Sequence, residues 1–180
     1  MLKQYMPEML SLYDQLVEAV GGGDAQARML SLYRPTPYLS GCSQAVLLRD
    51  EAVLVRNYDY RPDLCEGLLL RTEWLGRAVV AMSDCLWGVL DGVNDAGLAV
   101  ALSFGGRPVV GEGFGIPLVM RYVLQCCDTV TQAVNQAPAF PPESPLLPWT
   151  SKFSASYALP PSICGRISAR QQSRFALLPH

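Results

Sequence analysis

Apolar residues at Tyr5, Met9, Leu12, Tyr13, Leu16 and Val20 recur at helical spacing and predict an amphipathic helix over residues 5–19. Gly21-Gly22-Gly23 stops it, and Asp24 is placed to cap a second helix running to about Tyr33. Pro35 and Pro37 then impose an extended segment that leads into Ser40-Gly41-Cys42. From Cys42 the texture is that of strands. Two apolar runs, Ala45-Val46-Leu47-Leu48 and Ala52-Val53-Leu54-Val55, flank the polar turn Arg49-Asp50-Glu51 and predict a hairpin. Its far end carries Arg56-Asn57-Tyr58-Asp59-Tyr60. Further strands are expected at Leu68–Thr72, Arg77–Met82 and Leu98–Phe104, separated by glycine-rich turns at Gly92 to Gly97 and at Gly105-Gly106. Pro117–Cys127 suits a buried helix. Thr129–Ala137 suits another, with Asp128 as its cap. Helices, then strands, then helices is an α+β order and not a βαβ alternation.

The pattern fails after Ala137. Residues 138–180 hold 8 of the 14 prolines and 1 of the 15 glycines. Glu143 is the sole acidic residue there, against Lys152, Arg166, Arg170 and Arg174. Pro141-Pro142, Pro145, Pro148 and Pro160-Pro161 interrupt any helix or strand. This Pro/Ser/Arg-rich stretch reads either as a disordered tail or as out-of-frame translation after a frameshift. The chain thus divides into a helical, propeptide-like segment at 1–41, a mixed domain at 42–137 and an irregular tail at 138–180.

Composition narrows the function classes. The 180 residues suffice for one domain with a core, and a net charge of −2 gives no electrostatic reason to expect nucleic acid or an anionic membrane as partner. No apolar run approaches the roughly 20 residues that span a bilayer. Glu8 and Asp14 interrupt the N-terminus, which does not resemble a signal peptide, so the expected compartment is the cytoplasm. Cys42, Cys65, Cys85, Cys126, Cys127 and Cys164 form no CxxC pair, and His180 is the sole histidine, which argues against a zinc site. The glycines at 105–106, 111, 113 and 115 lack a following Lys-Ser/Thr and a βαβ setting, so they do not make a nucleotide loop.

A catalytic cysteine ordinarily needs a histidine base, and His180 lies in the irregular tail. One arrangement needs no histidine. Were Cys42 the first residue of a mature chain, its own α-amine, with a pKa of about 7.7–8.0, would take the thiol proton near neutrality. A small preceding residue, Gly41, and a strand just after Cys42 suit that arrangement. On residue types alone, a lone cysteine entering a strand is more often core packing. Arg56 and Asp59 taken alone read as a surface ion pair, and Asn94 as a turn residue. Trp74, Trp87, Tyr122 and Cys126-Cys127 read as packing.

Gly41-Cys42-Ser43-Gln44 followed by Val55-Arg56-Asn57-Tyr58-Asp59-Tyr60 resembles the N-terminal-nucleophile acylases. The nearest likeness is to the acyl-coenzyme A:6-aminopenicillanic acid acyltransferase-like family of autoproteolytic hydrolases. The choloylglycine hydrolase and penicillin V acylase family is more distant. Asp91-Gly92-Val93-Asn94-Asp95-Ala96-Gly97-Leu98 resembles their glycine-flanked Asn-acidic turn. Gly113-Phe114-Gly115-Ile116-Pro117, the helix carrying Arg121 and the Thr129–Ala133 helix start fit the first family. The likeness runs from about Met6 to Pro138.

The resemblance implies a four-layer αββα sandwich, incomplete here at the C-terminus, since such families continue well past this length. It implies self-cleavage at Gly41–Cys42 and catalysis by Cys42, with Asp59 orienting its α-amine or thiol and Arg56 stabilising the cluster and polarising substrate. Asn57 is a support on the alternate strand face. Asn94, and the backbone near Ser103 or Phe104, are weaker candidates for substrate or oxyanion contacts. The implied substrate is a small-molecule amide or thioester, the acceptor is water or an amine, and no metal or organic cofactor is needed. Self-association is open. The alternatives are a catalytically inactive remnant of the fold and a non-enzymatic binding module.

Overall fold

The structure, a computed structural model, describes residues 1–35, 41–48, 52–103, 113–136 and 152–157. The N-terminal apolar stretch is divided into helix α1 (Leu2–Tyr5), a 3-10 turn (Pro7–Met9) and helix α2 (Leu10–Ala19). The single helix expected over 5–19 breaks at Pro7, which has no N–H to continue it. Helix α3 (Asp24–Ser31) is capped by Gly23 and not by Asp24. The cap has a φ of 96°, which glycine adopts without steric cost. Asp24 is instead the first helical residue and pairs with Arg28 one turn on, at 2.7 Å. The helix stops short of Tyr33 because Leu32 turns left-handed.

Strands β1 (Gly41–Leu48) and β2 (Ala52–Asp59) form the expected hairpin. A second antiparallel sheet runs in chain order through β3 (Leu69–Trp74), β4 (Arg77–Asp84), β5 (Gly88–Asn94), β6 (Leu98–Ser103) and β7 (Lys152–Tyr157). Two of these strands depart from the sequence pattern. Gly92, expected in a turn, lies inside β5, where a Cβ would stand 2.6 Å from the Ala81 Cβ on β4. Glycine there allows close strand approach, and the chain reverses only after Asn94. β7 lies in the Pro-rich stretch where no strand period is visible; it pairs with β6 through backbone bonds, which need no apolar alternation. The rest of 138–180, the extended segment before Gly41 and the Gly105-Gly106 turn lie outside the described residues.

Helix α4 (Ile116–Cys126) is buried from Ile116 through Gln125, as suits a central helix. One side rests on the large sheet. Gly88 makes room for it, since a Cβ there would meet the Pro117 Cβ at 2.5 Å. The N-terminal helices belong to the same core, to which Met6, Met9, Leu12 and Leu30 contribute. The Trp87 indole N–H donates to the Leu30 carbonyl at 2.9 Å, and the Tyr122 hydroxyl to Glu8 at 3.3 Å. Helix α5 (Val130–Gln136) is capped by Thr129 and not by Asp128. Thr129 Oγ1 accepts from the Gln132 N–H at 3.1 Å, and Gln132 Oε1 accepts from the Thr129 N–H at 3.2 Å, a reciprocal capping box. The Asp128 carboxylate is taken by Arg77.

The molecule is therefore α+β with antiparallel sheets. Helix α4 covers one face of β5, and the hairpin reaches the other through Arg56 and Asp91. Among the described residues no helix is long and apolar enough to cross a membrane.

Candidate functional site

Residues directly opposed in an antiparallel pair share a face. Cys42, Gln44 and Val46 therefore point the same way as Tyr58, Arg56 and Leu54. Burial follows that parity: Val53, Val55, Asn57 and Asp59 are exposed, while Val46 is buried and Leu54, Arg56 and Tyr58 are partly buried. The inward face meets β5 and β6. Arg56 is its centre, with a side chain only 4% exposed. Its Nε and Nη2 each lie 2.8 Å from Asp91 Oδ2 on β5. Its Nη1 lies 3.6 Å from Cys42 Sγ, and its Cζ stands 4.6 Å from the Tyr58 ring centroid. Beside it, Gln44 Nε2 donates to the Ala101 carbonyl on β6 at 3.5 Å, while Gln44 Oε1 is buried with no hydrogen-bond partner among the described residues.

The structure brings Cys42 and Arg56 together. Asp59 is not with them: three residues from Arg56 along a strand, it falls on the outer face, where Asn57 Nδ2 donates to it. Asp59 is, however, the register partner of Gly41. Asn94 is buried on the α4 side of the sheet. Its Nδ2 donates to the carbonyls of Leu124 (2.9 Å) and Cys127 (2.8 Å), and its Oδ1 accepts from the N–H groups of Ala96 (3.1 Å) and Leu98 (3.0 Å). Its amide is thus occupied in joining the end of β5 to α4. Ser103 ends β6, and Phe104 lies outside the described residues. Sequence reasoning did not single out Asp91, Tyr58 or Gln44. The signal was parity: once 88–94 is a strand, Asp91 and Asn94 stand on opposite faces, and only Asp91 faces the hairpin.

The thiols separate by environment. Burial, reinforced by Asp84 and Glu66, pushes Cys85 up to about 12. Burial and Glu8 push Cys126 up to about 12, and burial and Asp128 push Cys127 up to about 11, with Arg77 opposing both. These three are protonated and unreactive near neutrality. Cys42 is half-buried beside a guanidinium, Cys65 is exposed, and Cys164 lies outside the described residues. Tyr58 is held above the ordinary phenol value first by burial and then by Asp84 and nearby thiols, so near neutrality it presents an O–H and no base. Trp87 and Tyr122 are core residues, as expected. Arg121 is fully buried away from this cluster. It donates to the Trp87 carbonyl at 2.9 Å and stands 4.9 Å from the Trp74 ring centroid, and burial lowers it to about 10.

Chemically, the inward face offers a thiol, a fixed cation beside it and that cation's carboxylate anchor. No curated protein matches the chain. The family model for acyl-coenzyme A:6-aminopenicillanic acid acyl-transferase matches residues 47–144. That stretch spans more than half of the 180 residues and contains Arg56, Tyr58 and Asp91, with Cys42 just ahead of it. The chain belongs to the acyl-coenzyme A:6-aminopenicillanic acid acyl-transferase family.

Proposed function

We propose that this protein is a Cys42-dependent acyltransferase or amide hydrolase acting on small-molecule acyl substrates, activated by cleavage of its own Gly41–Cys42 bond. Family membership supports acyl transfer or acyl hydrolysis as the reaction class. The observation that carries the assignment to Cys42 is its contact with a buried, carboxylate-anchored guanidinium, while Cys85, Cys126 and Cys127 are held protonated elsewhere.

In the activating step the Cys42 thiol attacks the Gly41 carbonyl, the peptide C–N bond breaks, and a thioester and a free α-amine form. Water then hydrolyses the thioester, giving a Gly41 carboxylate and the Cys42 thiol. In turnover the α-amine takes the thiol proton, the thiolate attacks the substrate carbonyl, and the leaving amine or thiol departs with a proton. Water or an acceptor amine releases the acyl group. Arg56 stabilises the thiolate and the charge that develops on the carbonyl oxygen. Asp59 is the register partner of Gly41, so the nitrogen freed by cleavage starts beside its strand position; it orients that amine. Asn57 supports Asp59. Asn94 acts through the scaffold, and an oxyanion donor comes from the backbone near Ser103 or Phe104. The αββα sandwich fits the order helix, sheet, hairpin, with β1–β2 as the start of the second sheet.

The test is the intact mass of the purified chain beside a Cys42→Ala variant. Loss of the mass of residues 1–41 under denaturing conditions, in the parent only, is the expected result. A parent that stays whole over days at neutral pH refutes self-activation and favours a non-catalytic member of the family.

A further inference from the structure

We propose that Asp91 is a positioning residue for the site: its carboxylate aims Arg56 at the Cys42 thiol and docks the nucleophile-bearing hairpin onto the large sheet. The inference rests on the reading of Cys42 as nucleophile and Arg56 as its cation.

A guanidinium has three sectors that can be used separately: the Nε–Nη2 edge, the Nη1 tip and the flat face. All three are engaged here. The edge sits on Asp91 Oδ2 with both contacts at 2.8 Å. The face lies over Tyr58, with Cζ 4.6 Å from the ring centroid. The tip is left for Cys42 Sγ at 3.6 Å. Tyr58 restrains tilt but not rotation in the ring plane, because a cation above a π face has no preferred in-plane direction. The Asp91 contact removes that freedom, since a charge-assisted bond to both edge nitrogens fixes the plane's rotation.

Asp91 is itself fixed independently of the hairpin. It is paired with Met82 on β4 and Ala101 on β6, so its position comes from the large sheet. Ala101 is also the residue whose carbonyl accepts from Gln44, and Gln44 is the register partner of Arg56. The Gln44–Arg56 rung of the hairpin is thus tied to the Ala101–Asp91 rung of the sheet at both ends. An isolated two-stranded hairpin is marginal in water, so these ties set where Cys42 sits. Without Asp91, the edge nitrogens of a side chain 4% exposed would be left without their acceptor.

The charge of Asp91 makes the idea testable by sign. A carboxylate that served only as countercharge would oppose thiolate formation, and its removal would make Cys42 react at lower pH. A carboxylate that aims Arg56 does the reverse, because its removal lets the tip leave the sulfur. The experiment is the pH profile of Cys42 alkylation by iodoacetamide on the full chain, read by peptide mass spectrometry. Peptide mass separates cleaved from uncleaved Cys42, so like forms are compared. Exposed Cys65 serves as the reference thiol, and Tyr58, with Asp84 and Tyr60 whose charges act on it, is unchanged in every variant.

Asp91→Asn and Arg56→Gln are each expected to move the Cys42 midpoint upward by about one pH unit, leaving Cys65 in place. Asp91→Glu, which restores the charge, brings the midpoint back towards the parent. Asp91→Ser gives the same upward shift should the Asn variant fail to melt cooperatively. A downward or absent shift in a folded Asp91 variant, with Arg56→Gln shifted upward, overturns this inference alone. An Arg56→Gln profile identical to the parent overturns the reading of Arg56, and the inference with it.

Discussion

Two regions of this molecule are held in place by different physics. Around α4, Met6, Met9, Leu118, Met120 and Leu124 are fully buried, and apolar contact from helices and sheet fixes their arrangement. The hairpin that carries Cys42 has Val46 buried, while Val53 and Val55 are each 47% exposed on its outer face. Its seat on the large sheet is marked by two polar ties, Arg56 to Asp91 and Gln44 to the Ala101 carbonyl. Dispersion and burial are non-directional, whereas charge-assisted bonds are directional. The first builds a stable body, and the second sets orientation. The proposed role of Cys42 needs such direction, and the thiol lies on the element held by the polar ties.

The strongest way to break this comparison is to cut the chain where it is proposed to cut itself. Residues before Cys42 are bound to the core through Met6, Met9, Leu12 and Leu30 and through the Arg34 N–H bond to the Gly113 carbonyl at 2.7 Å. After cleavage at Gly41–Cys42 the two pieces are expected to co-elute on native size exclusion and to part only in denaturant. Free loss of the N-terminal piece under native conditions would show that its burial is not what holds it. Point substitutions sharpen the contrast. Leu118→Ala in the packed half is expected to cost about 2–5 kcal/mol in urea unfolding. Val55→Ala on the hairpin's outer face is expected to stay within about 0.5 kcal/mol. Equal losses would mean the two regions share one core.

How much of this was legible in the sequence differs between the same two regions. The hairpin was: two apolar runs around Arg49-Asp50-Glu51 set its strands, and the structure adds the register that pairs Cys42 with Tyr58. Cys42 and Arg56 as neighbours came from the family likeness. Asp59 beside Cys42 did not follow from the strand, because odd spacing sends Arg56 and Asp59 to opposite faces. On the packed side, α4 was visible as an apolar run, but β5 was hidden behind Gly88 and Gly92. Those glycines answer a tertiary demand, room for Pro117 and for Ala81, that no local pattern encodes. The caps failed for a related reason: Asp24 and Asp128 are good cap types, yet each finds an arginine instead.

A milder effect than the core truncation concerns pH, and it separates the buried thiols from the site. Cys85, Cys126 and Cys127 have an ordinary value of 9.0, raised on folding to about 12, about 12 and about 11. For an acid whose folded value is raised, the unfolded chain releases its proton first as pH climbs. Stability is therefore fully present well below pH 9 and drains away as pH rises through it. The clean window is pH 8 to 9. Above it the phenols of Tyr13, Tyr58 and Tyr122, also raised by burial, begin to act in the same sense. Arg121, lowered to about 10, begins to act in the opposite one, because its folded form then loses a charge that burial disfavours. Melting temperature is expected to fall by a few degrees across the window, and the combined Cys126→Ala and Cys127→Ala variant to flatten part of that slope. Cys85 supplies the remainder. A slope that survives the combined replacement of Cys85, Cys126 and Cys127 would move the titrating groups out of the packed half and weaken the contrast between the two regions.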